Sequence, residues 1–136
     1  MLGRLKPAGL DKSKGLISGA YVKDVNDPRW KDDPSVKEFQ AFIAKYMSPT
    51  DFTDASATYG FSVAGTMVQV LKQCGDDLSR DNIMKQAANL KDLELPLLLP
   101  GIKVNTSPTN YSPIRQMQLA TFNGESWELF GDVLSD

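Results

Sequence analysis

Histidine is absent from this sequence, cysteine occurs once, and neither sign of charge dominates. Without His, the usual general base and the commonest neutral metal ligand are both missing, which removes most His-centred catalysis and metal chemistry. A single Cys allows no internal disulfide and no Cys-rich zinc site. Lys and Arg number 15 against 17 Asp and Glu, a net charge of −2 with no basic cluster. Nucleic acid needs several cations on one face, so it is a poor partner. No stretch approaches the roughly 20 apolar residues that span a bilayer. The run Leu95-Pro96-Leu97-Leu98-Leu99-Pro100 is short and bracketed by prolines. The first residues, Met1 to Pro7, lack the apolar core of a signal peptide. As written the chain carries no export address: it is cytoplasmic, or the address lies outside this sequence.

The 136 residues are 41% hydrophobic and 24% charged. That is the make-up of a soluble globular domain, long enough to bury about two-thirds of its unfolded-chain surface if it folds alone. The segment Lys6 to Asp11 reads as loop, with Pro7 and Gly9 as turn formers. Gly15 to Val22 reads as a strand whose glycines mark close approach of another backbone or a ligand. Asn26 to Trp30 is a turn. Asp33 and Pro34 supply a cap and a first-position proline for a helix. Val36, Phe39, Phe42, Ile43, Tyr46 and Met47 then fall on one apolar stripe.

A second helix is expected from about Thr58 to Cys74, with Gly75 as its C-terminal stop. Lys72 is its one charge, and a helix so apolar all round is expected to be buried on more than one side. Ser79 caps a third helix, with Leu78 and Ile83 at the staple positions. Four prolines keep residues 94–113 extended. The tail is a hairpin, Ile114 to Thr121 and Ser126 to Val133. Its Asn123-Gly124 is the signature of a type I′ turn, in which both central residues take positive φ. The order is strand, three helices, long crossover and two strands, an α/β chain. The early strand has no obvious neighbour, a lone hairpin is marginal, and the crossover is long for a compact domain. The chain therefore reads as a piece of something larger, or as a protomer that needs a partner.

Few residues carry chemistry. Gly15 to Gly19 has neither dinucleotide-binding nor Walker spacing. Cys74, at the end of an apolar helix with no His to activate it, reads as a buried structural thiol. Asp32/Asp33 and Asp76/Asp77 sit at helix starts, where capping and the helix dipole account for them. Asp51 and Asp54 lie in the loop before the most apolar helix, a position where open α/β folds place ligand contacts, yet they are too few for calcium. Phe39, Phe42 and Phe61 read as core, and Trp127 as packing. Tyr21 and Tyr59 each pair an apolar ring with a hydroxyl that wants a partner, and by themselves both read first as buried packing positions.

Several runs together resemble a known family. They are Lys6-Pro7-Ala8-Gly9-Leu10-Asp11, Gly15-Leu16-Ile17-Ser18 and Ala20-Tyr21-Val22-Lys23-Asp24. Further along come Thr58-Tyr59-Gly60-Phe61, Val70 to Asp77, Leu95-Pro96, Leu99 to Ile102, Val104 to Pro108, and Phe130-Gly131-Asp132-Val133. The pattern is similar to the C-terminal part of ABC-transporter solute-binding proteins of the leucine/isoleucine/valine-binding kind, the type I periplasmic binding proteins. The resemblance covers nearly the whole chain.

It implies part of a two-lobed α/β clamp whose lobes are joined by three crossing segments and close on a small ligand. Residues 1–21 would end the second lobe and include a crossing strand. Residues 22–95 would form the helical C-terminal part of the first lobe, 96–113 the third crossing, and 114–136 the hairpin returning to the second lobe. The implied ligand contacts are Asp54, Ala55 and Tyr59 in and after the loop before the second helix, and Tyr21 at a crossing. The implied ligand is a branched-chain amino acid or a small aromatic or aliphatic acid, with ABC permease subunits as partners, a periplasmic location and no cofactor or metal. No reaction is expected of the chain. The alternative is a freestanding α/β interaction domain that hides its spare strand edge and apolar helix in a homodimer, strand-swapped or not.

Overall fold

A computed structural model describes residues 5–48 and 55–136. Single turns of 3₁₀ helix at Lys6–Ala8 and Asp11–Ser13 lead into β1 (Ile17–Ala20), and a third at Pro28–Trp30 precedes α1 (Pro34–Tyr46). Then come α2 (Ala55–Cys74), α3 (Arg80–Ala87), β2 (Gln116–Phe122) and β3 (Trp127–Ser135). The strands form one antiparallel sheet in the order β1-β2-β3. The expected mixed α/β make-up, with an early strand, three helices and a C-terminal hairpin, is what the chain adopts.

The helix ends follow their local chemistry. The Asp33 carboxylate accepts from the N–H groups of Ser35 and Val36, and Pro34 takes the first helical position where no donor is lost. Ser79 accepts from the Asn82 N–H at the start of α3. Gly75 adopts φ +59° just past α2, a conformation glycine enters without steric cost.

Three expectations fail, the first and third because the deciding contacts are remote in sequence and the second because a side chain takes over a local turn. First, the early strand is not unpartnered. Residues Ile17 to Ala20 pair with Thr121 to Gln118 of β2, about a hundred residues away. The chain then continues antiparallel to the proline-rich passage: the Lys23 N–H donates to the Leu97 carbonyl and the Leu99 N–H to the Tyr21 carbonyl, both at 2.9 Å. Second, the hairpin loop is not type I′. Gly124 has φ +109° but Asn123 does not lie at positive φ. The Asn123 side-chain oxygen instead accepts from the N–H groups of Glu125 and Ser126, an Asx turn.

Third, α2 is buried along one side only. Thr58, Ser62, Val70 and Cys74 are inside, whereas Tyr59, Val63, Met67, Val68 and Leu71 are all exposed. The α1 stripe divides likewise: Val36, Phe39 and Ile43 are buried, and Phe42, Tyr46 and Met47 are exposed.

The close approach at Gly19 is real, and its neighbour is a side chain. A Cβ on Gly19 would stand 2.7 Å from the Met117 sulfur, which crosses the strand there. Two apolar clusters hold the elements together. One joins Ala20, Val22 and Ala120 to Val70 and Cys74 of α2 and to Leu98, Leu99, Ile102 and Val104. The other joins Val36, Phe39 and Ile43 of α1 to Leu97. Trp30 packs against both.

Candidate functional site

Tyr21 follows β1 directly, and its backbone is pinned by the bond to Leu99. Its ring is half-buried against the first cluster. Tyr59 stands one turn into α2 and is 52% exposed, because its position lies about a quarter-turn round the helix from the buried Thr58–Ser62 edge. The two come together. They line one open groove of about 1100 Å³, whose other wall is the passage 109–117 and the end of β3. Tyr111 and Met117 add apolar surface, and Asn110, Ser112 and Gln116 add polar groups. A space of that size admits a small organic molecule with room to spare.

Asp54 lies outside the described residues. Ala55 opens α2, and its side chain lies outside them too. Two groove residues had no sequence signal. Arg115 and Asp136 lie 21 residues apart and meet at 2.7 Å only because β2 and β3 pair. Each stabilises the other's charged form: the bond to Asp136 raises the Arg115 guanidinium, and the bond from Arg115 lowers the Asp136 carboxyl.

Beside the groove stands a charged knot that orders its frame. Lys23 is a buried residue, 8% exposed, a position no lone cation would hold. It donates to Asp33 Oδ2 at 2.8 Å, to Ser35 Oγ at 3.0 Å and to the Pro96 carbonyl at 2.9 Å. Three hydrogens thus meet three acceptors, and the Trp30 ring lies 5.3 Å away on the same cation. The knot ties the end of β1, the start of α1 and the proline-rich passage to one another. A separate cavity bordered by Trp127 and Trp30 measures about 30 Å³, room for a water rather than a solute.

Among the described residues, no group of three or more Cys, Asp or Glu is placed to hold a metal ion. Nor is any described helix long and apolar enough to cross a membrane.

No family profile and no curated protein matches the chain. Among solved structures it is similar to a branched chain amino acid ABC transporter from Thermus thermophilus with bound valine, at a TM-score of 0.73 and 12% identity. The match covers 97% of this chain and 36% of that one, so the chain spans about a third of its neighbour's length. At so low an identity the likeness speaks for the fold: this α/β chain has the architecture of part of a type I periplasmic binding protein.

Proposed function

We propose that this chain is the C-terminal part of the solute-binding component of an ABC importer, and that Tyr21 and Tyr59 line its share of the ligand cleft. One observation carries the reading: two tyrosines 38 positions apart, both implied as ligand contacts by the resemblance, border one groove in a fold similar to a valine-bound transport protein. Asp54 and Ala55 join the proposed contacts at the start of α2.

In this reading residues 1–21 end the second lobe and carry a crossing strand, 22–95 complete the first lobe, 96–113 form the third crossing and 114–136 return as the hairpin. The antiparallel bonding of 21–23 with 97–99 and the Lys23 knot support it, since two crossings that run side by side need such cross-links. Ligand acts by population shift: a small amphipathic acid held between lobes favours the closed form over the open one. The solute class is a branched-chain amino acid or a small organic acid of similar size. The setting is the periplasm, the partners are permease subunits, and the chain performs no reaction.

The test is a thermal melt with valine, leucine and benzoate. For a site with a Kd of about 1 mM, roughly 10 mM ligand adds about 1.4 kcal/mol, a rise of several degrees in Tm. Tyr59→Ala should erase the rise and leave the ligand-free melt unchanged, because Tyr59 is an exposed residue. No rise with any of these solutes sinks the reading for this chain.

A further inference from the structure

We propose that the charged end of the groove holds the carboxylate of its ligand, with Arg115 as the residue that selects for it; this rests on the groove being a ligand cleft. The groove is continuous with a cavity of about 280 Å³, and Asn110, Arg115, Gln116 and Asp136 border both. Asp92, Lys103 and Asn105 border the cavity alone. This chain builds the walls itself. β2 and β3 pair at Gln116 and Ser135, and the Asn105 N–H donates to the Pro113 carbonyl at 2.9 Å.

Three carboxamides set the character of this space. The Asn105 side-chain oxygen accepts from the Asp92 N–H at 2.8 Å, that of Gln116 from the Lys103 N–H at 2.9 Å, and that of Asn110 from the Ser112 N–H at 3.0 Å. A backbone N–H can only donate, so each amide is held by its oxygen. The NH₂ ends remain, and none of the three donates to an acceptor among the described residues. Arg115 adds further donors: a guanidinium carries five N–H groups, and the bond to Asp136 uses one. The Lys103 ammonium stands 3.7 Å from Glu94, too far for a hydrogen bond.

A space bordered by so many N–H ends suits a ligand that brings oxygens. A carboxylate brings two in one plane, the shape that a guanidinium meets with two parallel bonds. Lys103 and Arg115 are matched by Asp92 and Asp136, so the lining is neutral overall. It therefore admits an acid or a zwitterion, whereas a dianion such as phosphate would bring a second charge with nothing left to balance it. The hydrocarbon of the ligand then lies toward Tyr21, Tyr59, Tyr111 and Met117, which border the groove and not the cavity.

Thermal melts with three solutes of one branched hydrocarbon read the head group: valine, isovalerate, and valinol, which has a hydroxymethyl in place of the carboxylate. Losing a charged hydrogen-bonding group weakens binding about tenfold or more. For a valine Kd of about 1 mM and roughly 10 mM solute, valinol should give about a third of valine's rise in Tm, or less. Arg115→Gln should cut the valine rise to that level and leave the valinol rise undiminished. Its ligand-free Tm should not move, since Arg115 and Asp136 are both exposed. Isovalerate matching valine means that the carboxylate suffices, and binding of valine alone means that an ammonium must accompany it; either result supports the site. Valinol equal to valine overturns the proposal. So does an Arg115→Gln variant that keeps the full valine rise, or one that loses the valine and valinol rises alike. In those cases a rise that Tyr59→Ala erases still upholds the cleft, and no rise with any solute sinks both.

Discussion

A cation enclosed as Lys23 is stays in a fold only while all its hydrogens are bonded, and among the described residues Asp33 supplies the one countercharge in direct contact. The same bond, with help from the Ser35 hydroxyl, lowers the Asp33 carboxyl from 3.8 to about 2. A carboxyl with a depressed folded-state pKa stabilises the fold above its unfolded value and loses that contribution as pH falls through the folded one. The window is therefore about pH 4 to pH 2. Asp33→Asn should flatten acid unfolding, followed by circular dichroism, across that window. At neutral pH it should cost about 2 kcal/mol, because the ammonium keeps its burial without its charged acceptor. Thr58 presents the opposite situation. Its hydroxyl is wholly buried and has no hydrogen-bond partner among the described residues. Thr58→Val replaces that hydroxyl by a methyl of the same shape, and denaturant melts should show a gain of about 1 kcal/mol.

At the scale of elements, what is local in the chain was legible. Asp33 and Pro34 start a helix and Ser79 starts another, because a cap is settled by three or four consecutive residues. Which apolar residues end up inside was not. Phe39 and Phe42 belong to the same stripe, yet Phe39 is 2% exposed and Phe42 40%. Phe39 meets Phe61 of α2 edge-on, with ring centroids 5.4 Å apart, within the cluster around Leu97. Phe39→Ala should therefore cost about 3–5 kcal/mol in a urea melt, and Phe42→Ala well under half of that. The loop of the hairpin makes the same distinction. Asn123-Gly124 signals a turn correctly, but the turn's geometry rests on Asn123 accepting two N–H groups, which a two-residue signature does not encode.

Across the whole molecule, the strand near the N-terminus serves as a bridge. Its first half pairs with β2, and the residues after it pair with 97–99 in the middle of the chain. Neither Lys23 nor Leu99 lies in a regular strand, and a reading by local element would leave both amides open to solvent. Their bonds, buried beside Val22 and Leu98, say otherwise. Hydrogen exchange should find the Lys23 and Leu99 amides protected to nearly the level of the sheet core, with Asn26 and Ser112 exchanging much faster. Uniformly fast exchange at Lys23 and Leu99 would mean that the proline-rich passage is not docked as described.

The sequence alone determined the kinds of element, their order, most of their caps, the burial of Cys74 and the non-helical character of residues 94–113. Each of these depends on propensity and patterning within a few residues. Only the tertiary structure decided that β1 lies against β2, that Lys23 is enclosed, that Arg115 meets Asp136, and that half of the apolar surface of α2 stays in water. Those outcomes rest on pairings across 10 to about 100 residues, where the choice of partner is made by global packing, for which a single chain's local pattern holds no record. The groove falls between the two: Tyr21 and Tyr59 were named from the resemblance, and their meeting in one space was the fold's doing.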